Sequence, residues 1–184
     1  MKITPTNLPG VIILEPRVWE DARGFFLESF NAERFADIGL PTHFPQDNFS
    51  RSARGVLRGL HYQLRRPQGK LISVLHGHVY DVVVDIRRGS PTFGRWFGKH
   101  LTAEQRQFIW IPPGLAHGFC VLSEFADFSY KCTDTYQPND DHGVIWSDPS
   151  LGIDWPISKP ILSDKDQRYA PLSAARSDLP LFPE

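Results

Sequence analysis

The chain has 184 residues, of which 41% are hydrophobic and 22% are charged, and its formal net charge is −1. This length suits a single domain with a core of its own, so we predict one domain over residues 1–184. A charge this close to zero argues against a nucleic-acid-binding protein, which needs a basic face, although it leaves room for a local basic pocket that binds a small anion.

Features that would direct the chain to a membrane or an oxidising compartment are weak. The N-terminal residues MKITPTNLPG have neither the apolar run nor the basic start of a signal peptide, and no apolar stretch approaches the length that spans a bilayer. Cys120 and Cys132 lie in apolar β-like runs, where buried free thiols are expected rather than a disulfide. We therefore expect a cytoplasmic protein without a membrane partner.

One short helix is predicted among many strands. Residues 31–38 (NAERFADI) begin with the capping residue Asn31 and are followed by Gly39 and Pro41. Elsewhere, short β-rich runs alternate with Gly, Pro, Asn and Asp, which predicts a sandwich or a barrel. The tail after Asp148 is rich in proline and is expected to wrap irregularly over the surface. The predicted strands are residues 11–16, 24–30, 56–64, 71–75, 79–86, 94–101, 107–111, 118–122 and 128–135.

The segment 71–86 predicts a buried hairpin. His76, Gly77 and His78 interrupt an apolar run as a tight turn would. In the second half, VYDVVVDIR, both faces of the strand are apolar apart from Asp81 and Asp85. A strand of this kind suggests burial between a sheet and a partner, such as a second subunit.

The residues 111–117 (IPPGLAH) match the second motif of cupins, P-x-G-x-x-H, in which a tight turn delivers a histidine into the mouth of a jelly roll. His117 is thus either a site residue or a hydrogen-bonded core histidine, and the sequence leaves both open. Metal-binding cupins resemble H-x-H with a Glu a few residues later, but no Glu follows His76 and His78 before Glu104. Metals of this class need three or four converging ligands, so we predict no metal site.

Three polar residues of catalytic type, Arg58, His61 and Lys70, lie in or beside strands that are otherwise built to pack. In a regular strand Arg58 and His61 would point to opposite faces, because their positions differ by three. A bulge at Gly59 could turn both inward. On residue type alone, the charged run at 163–166 (SDKD) is expected to be solvated surface and 21–26 (DARGFF) to be a turn before a strand.

Taken together, these segments resemble the dTDP-4-dehydrorhamnose 3,5-epimerase family, and the matching motifs extend from Arg23 to Asp166. Each motif is weak alone, but their ordered set is specific. The motifs are D-x-R-G-F-F at 21–26 with Glu28 two residues on, Q-x-N at 46–48, G-V-L-R-G-L-H-Y-Q at 55–63, Q-G-K-L at 68–71, G-x-V-x-D-V-x-V-D-I-R at 77–87, P-P-G-x-A-H-G-F at 112–119, Y-K at 130–131 and S-x-K-D at 163–166.

The resemblance implies an all-β cupin jelly roll, a homodimer, no cofactor, and a dTDP-linked keto sugar, dTDP-4-dehydro-6-deoxy-D-glucose, as the substrate. His61 resembles the general base, Asp166 the carboxylate that orients it, Tyr130 the general acid and Lys70 the lysine at the C4 oxygen. His117 and Arg58 resemble sugar and phosphate contacts, and Lys165 a further binding position. The positions that match nucleotide contacts, some of them across the dimer, are Arg23, Phe25, Glu28, Gln46, Asp47 and Asn48.

The chain departs from the family pattern at two positions. Asp141 stands where a Glu usually precedes the G-I-x-W-x-D-P stretch, and its shorter side chain puts that binding contact in question. His78 occupies a position that is often acidic.

The implied chemistry suits these residue types. A proton next to a ketone becomes removable when a cation such as Lys70 stabilises the enolate oxygen, and a histidine titrates near neutral pH. Other functions remain open from the sequence: an epimerase that inverts C3 or C5 alone, a ketoisomerase of a related sugar, a metal-dependent cupin oxygenase or isomerase, and a cupin that binds a sugar nucleotide without catalysis.

Overall fold

The computed structural model describes residues 1–173 and 175–182, so that Ala174, Pro183 and Glu184 of the predicted domain 1–184 lie outside the described residues. Helix α1 is Ala32–Asp37. The strands are β1 Lys2–Pro5, β2 Ile12–Glu15, β3 Val18–Asp21, β4 Gly24–Leu27, β5 Gln46–Ala53, β6 Leu57–Gln63, β7 Lys70–His76, β8 His78–Asp85, β9 Trp96–Thr102, β10 Phe108–Ile111, β11 Leu115–Val121, β12 Phe125–Cys132 and β13 Asp141–Gly143.

Two antiparallel sheets face each other. The larger sheet has the strand order β1-β2-β10-β7-β12-β5, and the smaller has the order β13-β6-β11-β8-β9. The core between them includes Ile72 and Phe128 from the larger sheet and Val83 and Phe119 from the smaller. The rings of Phe119 and Phe128 stack with their centroids 4.1 Å apart, and burying a side chain of this size contributes roughly 1.5–3 kcal/mol. The predicted arrangement of many short strands in a sandwich or a barrel is confirmed.

The short helix α1 is also where the sequence predicts it. The Asn31 side chain caps α1 by accepting a hydrogen bond from the Arg34 N–H at 3.2 Å, and Phe35 buries the apolar side of the helix. The chain leaves the helix at Gly39, which has a left-handed φ of 73°.

The second face of β8 is covered by the chain itself. Val82 and Val84 point away from the inter-sheet core and pack in a separate cluster with Leu151 and Leu179 of the C-terminal segment. The interpretation that a second subunit covers this strand is therefore wrong. After β13 the described residues form no named strand or helix, as predicted, but they supply a buried layer in addition to surface.

Four strands escaped the sequence analysis, namely β1, β3, β5 and β13. The clearest case is β5, whose sequence QDNFSRSA is mostly polar and which forms one edge of the larger sheet. Its pairing with β12 depends on backbone hydrogen bonds, and an edge strand needs few apolar side chains. Similarly, β11 begins at Leu115, three residues before the predicted start, because the turn is confined to the prolines and Gly114.

A bulge in β6 brings Arg58 and His61 to the same side of the sheet. His117 pairs with His61 and Phe119 pairs with Arg58, so two steps along β11 match three steps along β6. Gly59 has a φ of 129°, and a Cβ at this residue would lie 2.9 Å from the His117 carbonyl oxygen. Only glycine suits this close approach, and the predicted bulge is confirmed.

Candidate active site

A cavity of about 340 Å³ lies between the two sheets. Strands β6 and β11 form one wall, while β5, β7 and β12 form the other, and β13 and the C-terminal segment contribute to its rim. Nine of the side chains singled out from the sequence line this cavity: Gln46, Asn48, Arg58, His61, Lys70, His117, Tyr130, Asp141 and Lys165.

His61 lines the cavity and is hydrogen-bonded to a buried carboxylate. Its Nε2 lies 2.6 Å from Oδ1 of Asp166, a residue that is only 2% exposed. Burial alone would raise the pKa of Asp166, but the hydrogen bond from His61 keeps that pKa below its usual range. The charged carboxylate can only accept, so Nε2 carries a proton, and in the neutral form of the imidazole the lone pair is therefore on Nδ1. The prediction that Asp166 is solvated surface, made from residue type alone, is wrong.

His117 forms a second histidine–carboxylate pair. Its Nε2 lies 2.7 Å from Oδ2 of Asp81, and both side chains are buried. The other carboxylate oxygen of Asp81 is buried without a hydrogen-bond partner among the described residues. The pair fixes the plane of the His117 ring, which lines the cavity rather than belonging to a closed core.

Tyr130 faces His61 from the opposite wall. It lies on β12 in the row of Phe128 and Cys132, all of which point inward as the alternation of the strand predicts. Burial raises the pKa of the Tyr130 phenol, with a smaller opposing effect from Arg58. The phenol therefore stays protonated at neutral pH and is able to give a proton.

Lys70 adds a cation at the start of β7. Burial lowers the pKa of its ammonium group, although Cys132, Asp141 and Asp81 partly oppose that effect. Across the sheet Lys70 pairs in register with Cys132, which is a buried free thiol as predicted. Arg58, at the end of the bulge, donates from Nε to Ser52 Oγ at 3.0 Å and so reaches the same cavity.

Asp141 organises one side of the cavity mouth. Its Oδ2 accepts a hydrogen bond from the Tyr136 hydroxyl at 2.8 Å and also pairs with the Lys165 ammonium. The shorter side chain thus engages two other residues that line the cavity. Tyr136 was not predicted as a site residue, because it lies in an irregular segment with no pattern around it.

Four of the selected residues do not reach the cavity of their own chain. Asp47 alternates with Gln46 and Asn48 along β5, so it points to the other face and pairs with Lys131 at 2.8 Å. The remaining three belong to the β3–β4 hairpin and the residues after it: Arg23 pairs with Asp21, Phe25 stacks under Arg106, and Glu28 pairs with Arg34.

Other residues of the site escaped the sequence analysis for identifiable reasons. Asp81 lies in a strand that is otherwise largely apolar. A charged residue at such a position indicates a polar partner, which in the structure is His117. Ser52 lies on the missed strand β5. Tyr169 packs its ring against His61 from the C-terminal segment, where no periodic pattern indicates its position.

His76 and His78 flank Gly77 in the tight turn between β7 and β8, as predicted. The imidazole of His78 meets that of His100, with Nε2 and Nδ1 3.0 Å apart. Across residues 1–173 and 175–182, no three His, Cys, Asp or Glu side chains converge as a metal site requires. None of the helices in this part of the chain is long and apolar enough to cross a membrane.

The arrangement suits proton transfer at a carbon. A histidine with a free lone pair stands on one wall and a protonated phenol on the other, so a planar group held between them meets a base and an acid from different sides. A lysine in the same partly buried cavity is placed to stabilise a developing oxyanion.

Comparison with known proteins agrees with this geometry. The family described as dTDP-4-dehydrorhamnose 3,5-epimerase matches residues 5–174 of the chain. A dTDP-4-dehydrorhamnose 3,5-epimerase from Pseudomonas aeruginosa is 54% identical, with the alignment covering 100% of both chains. A dTDP-4-dehydrorhamnose 3-epimerase from Streptomyces niveus is 42% identical over 100% of this chain and 89% of its own.

Among solved structures, the dTDP-6-deoxy-D-glucose-3,5-epimerase of Legionella pneumophila, in complex with dTDP-4-keto-L-rhamnose, superposes with a TM-score of 0.95. It is 50% identical, and the match covers 100% of this chain and 99% of the Legionella chain. This likeness and the two-sheet topology confirm the predicted all-β, cupin-type jelly roll.

Proposed function

Since the chain belongs to the dTDP-4-dehydrorhamnose 3,5-epimerase family, we propose that it inverts C3 and C5 of dTDP-4-dehydro-6-deoxy-D-glucose and forms dTDP-4-dehydro-L-rhamnose for dTDP-L-rhamnose biosynthesis. The observation that carries the proposal is the placement of His61 and Tyr130 on facing walls of one cavity. The enzyme is an isomerase in which proton removal from one face of the sugar is followed by proton return to the other.

In this mechanism His61 Nδ1 removes the proton next to the C4 ketone. Asp166 holds Nε2 and stabilises the imidazolium that forms, as the carboxylate of a hydrolase triad does. Lys70 stabilises the enolate oxygen, and Tyr130 returns a proton to the opposite face. Each step uses a side chain of the cavity or its hydrogen-bonded partner, and the proposal assigns no step to a metal or a cofactor.

Binding is assigned to the polar residues around this centre. Arg58 supplies a permanent cation for the diphosphate, and His117 contacts the sugar from its pair with Asp81. Lys165, Asp141, Gln46 and Asn48 line the same cavity and complete the substrate contacts.

We propose further that the enzyme is a homodimer in which part of the nucleotide site comes from the second copy. Arg23, Phe25 and Glu28 lie away from the cavity of their own chain. Phe25 borders the outer face of the larger sheet, next to Leu75, and these two side chains are 57% and 56% exposed. Phe49 pairs in register with Ser129, which borders the same outer face, so Phe49 lies on that face too. Its side chain is 62% exposed. An apolar face of this kind suits a second copy of the chain.

A second function differs from the first only in the carbons that react. The 42% identical Streptomyces niveus protein is named a 3-epimerase, so an enzyme that inverts C3 alone is the alternative that a specific comparison favours.

The proposed function is tested with dTDP-4-dehydro-6-deoxy-D-glucose in deuterated water, in the presence of a chelator. We expect deuterium at both C3 and C5 together with the epimerised product, located by NMR and mass spectrometry. Label at C3 alone would indicate the 3-epimerase, and binding without label a catalytically silent protein. Activity that the chelator removes and a divalent metal restores would contradict a metal-free reaction.

The role of Tyr130 is tested by Tyr130→Phe, which keeps the ring and removes only the hydroxyl. Because His61 can return a proton to its own side, the variant should exchange deuterium faster than it forms the epimer. In the wild type the two processes should run closely together. A time course of label and of product, followed by mass spectrometry and NMR, checks this expectation. Inversion by Tyr130→Phe at the wild-type rate would show that Tyr130 is not the acid.

The shared site is tested by mixing two inactive subunits. If Arg23 acts across the dimer, a heterodimer of a His61→Ala subunit and an Arg23→Ala subunit contains one site with both residues intact. Each variant alone should be impaired, the purified heterodimer should recover about half of the wild-type activity, and the unseparated co-expressed mixture should recover about a quarter. A single mass near 21.0 kDa in light scattering, or no recovery in a purified heterodimer, would contradict the arrangement.

A further inference from the structure

Tyr169 makes the second contact to the imidazole of His61. It lies three residues after Asp166, and the centroids of the two rings are 5.8 Å apart with an edge-to-face angle of 69°. Edge-to-face contacts of this kind are favourable and directional. Hence two side chains of one short segment, Asp166 and Tyr169, both hold the same histidine.

Strand β13 leaves space for the ring of Tyr169 at Gly143. Gly143 pairs in register with His61 between β13 and β6, and a Cβ at Gly143 would overlap the Tyr169 ring. The absence of a side chain at Gly143 therefore lets the phenol lie against the backbone beside the histidine.

Hydrogen bonds fix the turn that carries both contacts. The Asp166 N–H donates to Ser163 Oγ at 3.1 Å, the Gln167 N–H to the Ser163 carbonyl at 3.2 Å, and the Arg168 N–H to the Lys165 carbonyl at 3.1 Å. Asp166 and Tyr169 thus approach His61 as one unit, and a shift of the turn would change both contacts.

The hydroxyl of Tyr169 does not account for this packing. It is buried and has no hydrogen-bond partner among the described residues. Burial raises the pKa of the phenol, so the group stays neutral. A buried hydroxyl without a partner costs free energy, and the favourable contribution of Tyr169 comes from its ring.

We propose that Tyr169 is a positioning residue for the base, a role that rests on the proposed function. A hydrogen bond at Nε2 alone leaves the imidazole free to swing about the Asp166 oxygen. The edge contact from Tyr169 restricts that swing and keeps Nδ1 directed at the carbon from which the proton is removed. Small errors in the orientation of a catalytic group reduce the rate without preventing substrate binding.

The test compares Tyr169→Leu with Tyr169→Phe. Removing the ring should lower kcat by about tenfold and leave KM within about twofold, because the base is misdirected while the binding groups are untouched. Tyr169→Phe keeps the ring and should stay within about twofold of the wild type in both constants. In proton NMR, the downfield imidazole N–H resonance of the His61–Asp166 bond should persist in Tyr169→Phe and weaken in Tyr169→Leu.

Leu172→Ala is the matched control, since Leu172 belongs to the same segment but packs in the cluster on the other side of the smaller sheet. It should lower the melting temperature and leave kcat unchanged. A wild-type kcat in Tyr169→Leu, a raised KM with kcat preserved, or an equal loss in Tyr169→Phe would each overturn the proposal. If the Leu variant fails to fold, a tenfold loss of kcat in Tyr169→Phe would still overturn the proposal. If the wild type itself did not epimerise, the proposed function would fail, and the NMR comparison would still test the positioning.

Discussion

The hydrogen bond between His61 and Asp166 connects two parts of the chain that are 105 residues apart. It joins a strand of the smaller sheet to the irregular C-terminal segment, so the base is complete only when that segment is in place. Leu151 and Leu179 anchor the segment by burial against the smaller sheet, while Arg176 donates to Asp178, to the Tyr62 hydroxyl and to the Gly143 carbonyl. This packing offsets the conformational entropy that is lost when so long a loop is closed. The function of the site depends on the packing.

The facing sheets account for the rest of the chemistry. The bulge at Gly59 turns His61 towards the cavity from one wall, and the regular alternation of β12 presents Tyr130 from the other. A proton can leave one face of a bound sugar and arrive at the opposite face only if the acid and the base are on different walls. The jelly roll provides that separation through its two layers, and a few polar residues on each sheet are enough to build the site.

Much of the fold and of the site could be predicted from regular local patterns. Features that depend on contacts between residues distant in sequence could not be predicted. The helix cap at Asn31, the turn at Gly77 and the inward row of Tyr130 follow from local spacing. The need for a bulge between Arg58 and His61 followed from strand parity. Edge strand β5 was missed because backbone pairing, rather than apolar side chains, holds it in the sheet. Asp166 and Tyr169 lie in a segment without periodicity, so their burial depends on tertiary contacts that residue type does not report; for Asp166 only the family resemblance indicated a role.

The most direct test of the account is the rate of deuterium incorporation into the keto sugar by the wild type, His61→Ala and Asp166→Ala, with dTDP binding measured by calorimetry. The mechanism predicts that His61→Ala stops exchange at C3 and C5 and that Asp166→Ala slows it, while both variants still bind dTDP. General base catalysis typically contributes ~10²–10⁴-fold, so the loss in His61→Ala should reach at least this range. Exchange by His61→Ala at a rate close to that of the wild type would show that His61 only packs in the cavity and would contradict the mechanism.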